Sequence, residues 1–232
     1  MILYYGIMGK RGPKPRGKIK TEWSSKLAYA IGLIATDGCL YKNSSCINLT
    51  SKDLEQIENF KLCLGLTCVV SKKTGGATTS KKYFVIQPKD VLFYKFLLEI
   101  GLTPNKSTTL GVLKIPDEYF FDFLRGCFDG DGCTYSYWDK RWRSSFMFYT
   151  EFVSASPRFI NWVRSKIEQL AKISGHITET KKNNPCYQLK YAKVESLVLL
   201  RSMYYKKSVL CLSRKKLKIQ EALGIIGEQL FV

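Results

Sequence analysis

Apolar residues along the chain follow two periods, about 3.6 residues in some segments and two in others, and the order of these segments occurs twice. A helical period starts at the capping pair Ser24-Ser25 and carries KLAYAIGLIAT up to Asp37-Gly38. Its counterpart starts after Pro116 and carries DEYFFDFLRGCFDG up to Asp131-Gly132. Each helix leads into two short segments rich in Tyr, Thr and Phe, at 39–41 and 47–50 in the first half and at 133–138 and 146–153 in the second, so a hairpin is expected in both. A helix capped by Ser51, and one capped by Ser156, comes next. Second hairpins follow, turning near Thr74-Gly75-Gly76 and near Asn183-Asn184, and lead into helices over 91–100 and 194–204. Both halves then reach a Lys-Ser pair, Lys106-Ser107 and Lys207-Ser208.

The pattern predicts an α+β chain of two αββαββα repeats at 23–114 and 115–232, preceded by an arm at 1–22. The arm holds Lys10-Arg-Gly-Pro-Lys-Pro-Arg-Gly-Lys18, which has no apolar period and two prolines; a basic segment of this kind suits phosphates or a narrow minor groove. Aligning Asp37 with Asp131 also aligns Gly32 with Gly126, Gly38 with Gly132 and Cys39 with Cys133. Gly32 and Thr36, like Gly126 and Gly130, lie four residues apart and form a stripe of small side chains. A helical Gly costs about 1 kcal/mol relative to Ala, so matched glycines imply that the two helices pack backbone against backbone about a pseudo-twofold axis.

Charge narrows the partners. The 232 residues include 37 Lys and Arg against 19 Asp and Glu, a net charge of +18 that favours a polyanion, nucleic acid before an anionic membrane surface. The eight cysteines form no CxxC pair and His176 is the only histidine, which argues against structural zinc. The chain reads as a reduced, soluble, intracellular protein, of cytoplasm or organelle matrix, without a signal peptide or membrane span.

Asp37 and Asp131 each fall at the end of a helix, followed by a Gly that suits a left-handed cap. A carboxylate is disfavoured there, because that end of the helix dipole is negative and helices paired in parallel bring the two acids together. Divalent cations resolve both conflicts. Two acids beside a basic surface therefore suit metal-assisted phosphodiester hydrolysis.

The segments Ala30-IGLIATDG and Leu124-RGCFDGDG resemble the two copies of the nonapeptide that names the LAGLIDADG homing endonucleases, in their single-chain, two-repeat form. The resemblance spans roughly residues 24 to 220. Ala30 and Ile31 reverse the usual opening of the first copy, and Ala35 replaces the sixth-position acid that Asp129 retains. The resemblance implies saddle-like antiparallel sheets covered by helices, paired through the motif helices. It implies a monomeric, site-specific endonuclease for a long asymmetric DNA duplex, using Mg2+, with Ca2+ supporting binding without cleavage. Asp37 and Asp131 would ligate the metal with the backbone carbonyls of Thr36 and Gly130. Lys106 and Lys207 would lie near the scissile phosphates, and Ser51 and Ser156 fall near a further polar position that varies in the family. Similar motifs occur in RNA maturases and in inactive DNA-binding relatives, which leaves an RNA-binding splicing factor and a silent DNA-binding protein as alternatives.

Strand alternation then nominates the residues that face the groove. In the first half they are Tyr41, Asn43, Asn48 and Thr50, with Lys72, Thr74 and Lys82 on the second hairpin. In the second they are Tyr135, Tyr137, Lys140, Arg141, Arg143, Thr178, Thr180, Lys181, Gln188 and Lys190.

Overall fold

The computed structural model describes residues 17–74, 82–180 and 185–231. The turns expected at Gly75-Gly76 and Asn183-Asn184, Lys181, and most of the basic arm lie outside them. Two units of the same design follow one another. The first runs α1 (Ser25–Thr36), β1 (Gly38–Leu40), β2 (Ile47–Ser51), α2 (Leu54–Leu64), β3 (Ser71–Thr74), β4 (Lys82–Ile86) and α3 (Val91–Glu99). The second opens with a 3-10 turn (Asp117–Tyr119) and continues through α4 (Phe120–Asp131), β5 (Cys133–Trp138), β6 (Phe146–Ser154), α5 (Pro157–Ala171), β7 (His176–Glu179), β8 (Tyr187–Tyr191) and α6 (Lys193–Met203). A last helix, α7 (Ser213–Ile225), has no place in the expected pattern. Its apolar positions are sparse, with Ile219, Ala222 and Leu223 buried among lysines, which hid its period.

Each sheet has four antiparallel strands, in the orders β1-β2-β4-β3 and β5-β6-β8-β7. One face of each packs on helices: Leu40, Ile47, Leu49 and Ile86 in the first sheet, and Phe146, Phe148, Phe152 and Leu189 in the second, are buried. The motif helices α1 and α4 form the seam between the units, and almost every residue from Leu27 to Ala35 is fully enclosed. Their small-residue stripe makes the contact. A Cβ at Gly32 would lie 2.8 Å from both Cys127 N and Gly126 Cα and nearer still to the carbonyl oxygen of Phe123; one at Gly126 would run into the carbonyl oxygen of Tyr29.

Capping follows the sequence at two helices and departs from it at a third. The Ser24 hydroxyl accepts from Leu27 N (3.2 Å), and the Ser156 hydroxyl from Phe159 N (3.5 Å). Asp53, not Ser51, precedes α2. Ser51 ends β2, where its hydroxyl accepts from Asp53 N (3.1 Å) and donates to Gln56 Oε1 (3.1 Å).

Candidate functional site

Asp37 is the C-cap of α1, its N–H bonded to Leu33 O, and Asp131 is the last residue of α4. The following glycines are not left-handed. Gly132 is extended (φ −82°, ψ 158°), and Gly38 opens β1. Their role is steric: a Cβ on Gly38 would lie 2.6 Å from Ile34 Cα, and one on Gly132 2.6 Å from Phe128 Cα, so only Gly lets the chain pass this tightly from helix to strand.

The parallel seam brings the two carboxylates together. Asp37 Oδ2 lies near Gly130, at 3.3 Å from where a Cβ there would stand. Burial holds both acids above the usual carboxylate range, and at Asp37 the negative charge of Asp131 adds to the rise. Three groups oppose it. Gln56 Nε2 donates to Asp37 Oδ2 at 2.6 Å, and the ammonium groups of Lys106 and Lys215 act on both acids.

The lysines occupy matched positions. Lys106 is 7% exposed and donates from Nζ to Gly38 O at 2.6 Å. Lys215, in the first turn of α7, donates to Gly132 O at 2.7 Å and also to the carbonyls at the end of α4: Phe128 (2.6 Å), which accepts the N–H of Gly132 as well, Asp129 (2.9 Å) and Gly130 (3.1 Å). Gly38 and Gly132 are equivalent, so Lys215 is the counterpart of Lys106. The structure thereby corrects the assignment of Lys207: that side chain is exposed in the segment before α7, and only its backbone carbonyl is engaged, by Lys216 Nζ at 3.0 Å. Burial pulls the ammonium groups of Lys106 and Lys215 below the usual lysine range.

Among the remaining predicted residues, Thr36 turns its hydroxyl back to Gly32 O (3.1 Å), while Gly130 O faces Lys215. Ser51 touches the site only through Gln56, and Ser156 donates to Leu110 O, away from it. Gln56 itself was not anticipated. It lies one turn into α2, where a polar residue is ordinarily solvated, yet it is 2% exposed. Among the described residues no group of three or more His, Cys, Asp or Glu could hold a metal alone. Two adjacent carboxylates that repel each other, Asp37 half-buried and Asp131 open to solvent, do suit a hard cation completed by phosphate and water oxygens.

The open sheet faces flank this centre. In the second sheet, register puts Tyr135, Tyr137, Lys190, Gln188 and Thr178 on one face with Tyr149, which strand alternation had not nominated. Tyr149 stacks on Tyr135 and Tyr137 (centroids 5.1 and 6.2 Å), and Lys190 Nζ lies 6.0 Å from the Tyr135 ring and 3.6 Å from Glu151. Thr180 closes the β7–β8 connection through Cys186. Lys140, Arg141 and Arg143 stand exposed in the β5–β6 loop. In the first sheet Asn48 and Thr50 share the open face and hydrogen bond each other (2.9 Å), with Tyr41 continuing it and Asn43 exposed in the turn beyond. The β3–β4 assignment is one residue out of phase. Thr50 pairs with Val85, Val85 with Ser71 and Tyr83 with Lys73, so Ser71, Lys73 and Tyr83 line the open face; Lys72 pairs with Phe84 on the other, and Thr74 pairs with Lys82 at the end of the hairpin.

Two four-stranded repeats joined through paired helices are the fold that the chain shares with LAGLIDADG homing endonucleases of known structure. Among solved structures, the chain is similar to the meganuclease I-AabMI bound to uncleaved DNA (TM-score 0.57, 17% identity, 85% of this chain and 88% of that one). It is also similar to I-DmoI in complex with DNA and Ca (0.55, 13%, 84% and 97%) and to DUF199/WhiA from Thermatoga maritima (0.52, 15%, 88% and 68%). No family model and no curated protein sequence matches the chain. Among the described residues no helix is long and apolar enough to cross a membrane.

Proposed function

We propose that the protein is a site-specific endonuclease that hydrolyses both strands of a long, asymmetric DNA duplex with Mg2+, acting as a monomer because one chain supplies both halves of the site. The observation that carries this reading is the meeting of Asp37 and Asp131 at the seam, with the buried Lys106 on one side and the half-buried Lys215 on the other. Asp37, Asp131 and the carbonyls of Thr36 and Gly130 would hold the metal, which supplies Lewis-acid activation of the phosphodiester and its attacking water. Gln56 orients the Asp37 carboxylate. Lys106 and Lys215 each place a positive charge on one half of the site, where charge develops on one scissile phosphate. The open sheet faces, with their tyrosines, amides and cations, would lie in successive major-groove segments.

A second reading, binding of DNA or of a structured RNA without cutting, is favoured by Ala35 in place of an acid and by the likeness to WhiA, whose name does not describe an endonuclease. Selection of cleaved duplexes from a randomised plasmid library with Mg2+, followed by the same assay on Asp37→Asn and Asp131→Asn, separates the two. Both variants should lose cutting of both strands while binding the selected site in Ca2+. Undiminished cutting by either would overturn the assignment.

A further inference from the structure

The one acid that the two motifs do not share, Asp129, lies inside the protein at 1% exposure. A single oxygen, Oδ2, accepts from the Tyr29 hydroxyl of α1 (2.7 Å) and from the backbone N–H of Leu212 (2.8 Å), the residue that precedes α7. Lys215 stands three residues further on, its Nζ on the four carbonyls at the end of α4. The carboxylate therefore ties α1, α4 and the start of α7 at one point. The first half has nothing equivalent: Ala35 occupies the matched position, and Lys106 reaches Gly38 O from the chain between α3 and the 3-10 turn. We propose that Asp129 is a positioning residue that acts through the Leu212 N–H to hold Lys215 at the second half-site, so that the two strands are cut by differently supported lysines.

Other contacts also reach the start of α7. Ser213 bonds Glu55, Arg214 forks onto Asp53 (2.8 Å), and Asn59 Nδ2 donates to Cys211 O (3.0 Å). The Glu55 and Asp53 contacts are solvent-exposed, and exposed ion pairs fix geometry weakly. The Asp129 bonds are enclosed, where losing the acceptor strands a buried N–H and a buried hydroxyl.

The proposal rests on the endonuclease reading, and its test has one readout that does not. Asp129→Leu removes the acceptor while keeping the same branched skeleton; Asp129→Asn can accept both bonds through its one carbonyl oxygen; an α-hydroxy acid replacing Leu212 removes the N–H alone. In the free protein, hydrogen exchange in the first turn of α7 should quicken with Asp129→Leu and with the Leu212 ester, and stay slow with Asp129→Asn. Unchanged exchange in the ester variant overturns the anchor whether or not the protein cuts DNA. On supercoiled plasmid carrying the cleaved site, Asp129→Leu and the ester should slow the same strand that Lys215→Met slows, by about ten- to a hundredfold, as loss of a supporting contact does. Asp129→Asn should restore that strand, and Asp129→Leu combined with Lys215→Met should be no slower than Lys215→Met alone. Equal slowing of both strands by the ester, or failure of Asn to restore the strand, identifies Asp129 as a general stabilising residue and overturns the proposal. If the wild-type chain cuts nothing while the exchange pattern holds, the endonuclease reading fails and the anchor stands.

Discussion

Gly32→Ala is the sharpest test of the seam. An Ala in a helix interior normally stabilises by about 1 kcal/mol relative to Gly. Here the added methyl would stand 2.8 Å from Cys127 N and Gly126 Cα and nearer still to Phe123 O. All three are backbone atoms of α4, so no side-chain rotation relieves the clash, and the helices must part by roughly 1 Å to restore ordinary contact. Overpacking of this kind costs up to about 3 kcal/mol, which leaves a net loss of about 2 kcal/mol after the helical gain. For a chain of this size that lowers the melting temperature by about 4–8 °C. Gly224→Ala is the control. Gly224 is exposed in α7, with nothing within 4 Å of an added Cβ, so it should gain up to about 1 kcal/mol. Calorimetric melts of the two variants beside the parent measure the difference. Parting the helices also separates Asp37 from Asp131, and a displacement of about 1 Å in a reactive constellation can cost on the order of a hundredfold in rate. A Gly32→Ala protein that melts at or above the parent temperature would refute the backbone-on-backbone seam.

Lys106→Met and Lys215→Met should each slow cutting of a different strand by about a hundredfold and accumulate nicked plasmid, whereas Lys207→Met should cut both strands at the parent rate; end-labelled time courses read this directly. Burial raises the Asp129 carboxyl from 3.8 to about 6, so the native state holds an extra proton between those values. Stability in metal-free buffer should therefore fall as pH rises through that window, by on the order of 3 kcal/mol from this group. Asp129→Asn should flatten that part of the melting profile, and parallel wild-type and variant profiles would show that the group does not titrate there.

Much of this is legible in the sequence, and for a consistent reason. The two repeats, the motif helices and the acids at their ends are set by local period and by a pattern that occurs twice, so Gly32 with Gly126 and Asp37 with Asp131 already implied a close, parallel seam. In the second sheet Lys190 is flanked by the buried Leu189 and Tyr191, so alternation marks its face, whereas Ser136, Tyr137 and Trp138 are all exposed and only the pairing of Tyr135 with Tyr149 fixes the face of β5. The β3–β4 phase is not legible either. Lys72 and Lys73 are both exposed on an edge strand, so composition cannot say which shares a face with Thr50; only the pairing of Ser71 with Val85 decides it.

The lysines and Gln56 mark the same boundary inside the site. Lys106 lies next to a serine, and Lys207-Ser208 repeats that dipeptide, but a matching dipeptide does not fix where a long side chain ends. Lys215 is the residue whose helix starts beside Asp129, eight positions later in the chain, and whose ammonium reaches the carbonyls at the end of α4. Gln56 reaches Asp37 because α2 folds back across α1. Gly38 and Gly132 were identified as necessary, yet the requirement is the proximity of Ile34 and Phe128 rather than a left-handed backbone. Sequence determines what repeats at short range, since period and backbone sterics act within a few residues. The distances between groups tens of residues apart exist only once the helices and sheets have packed.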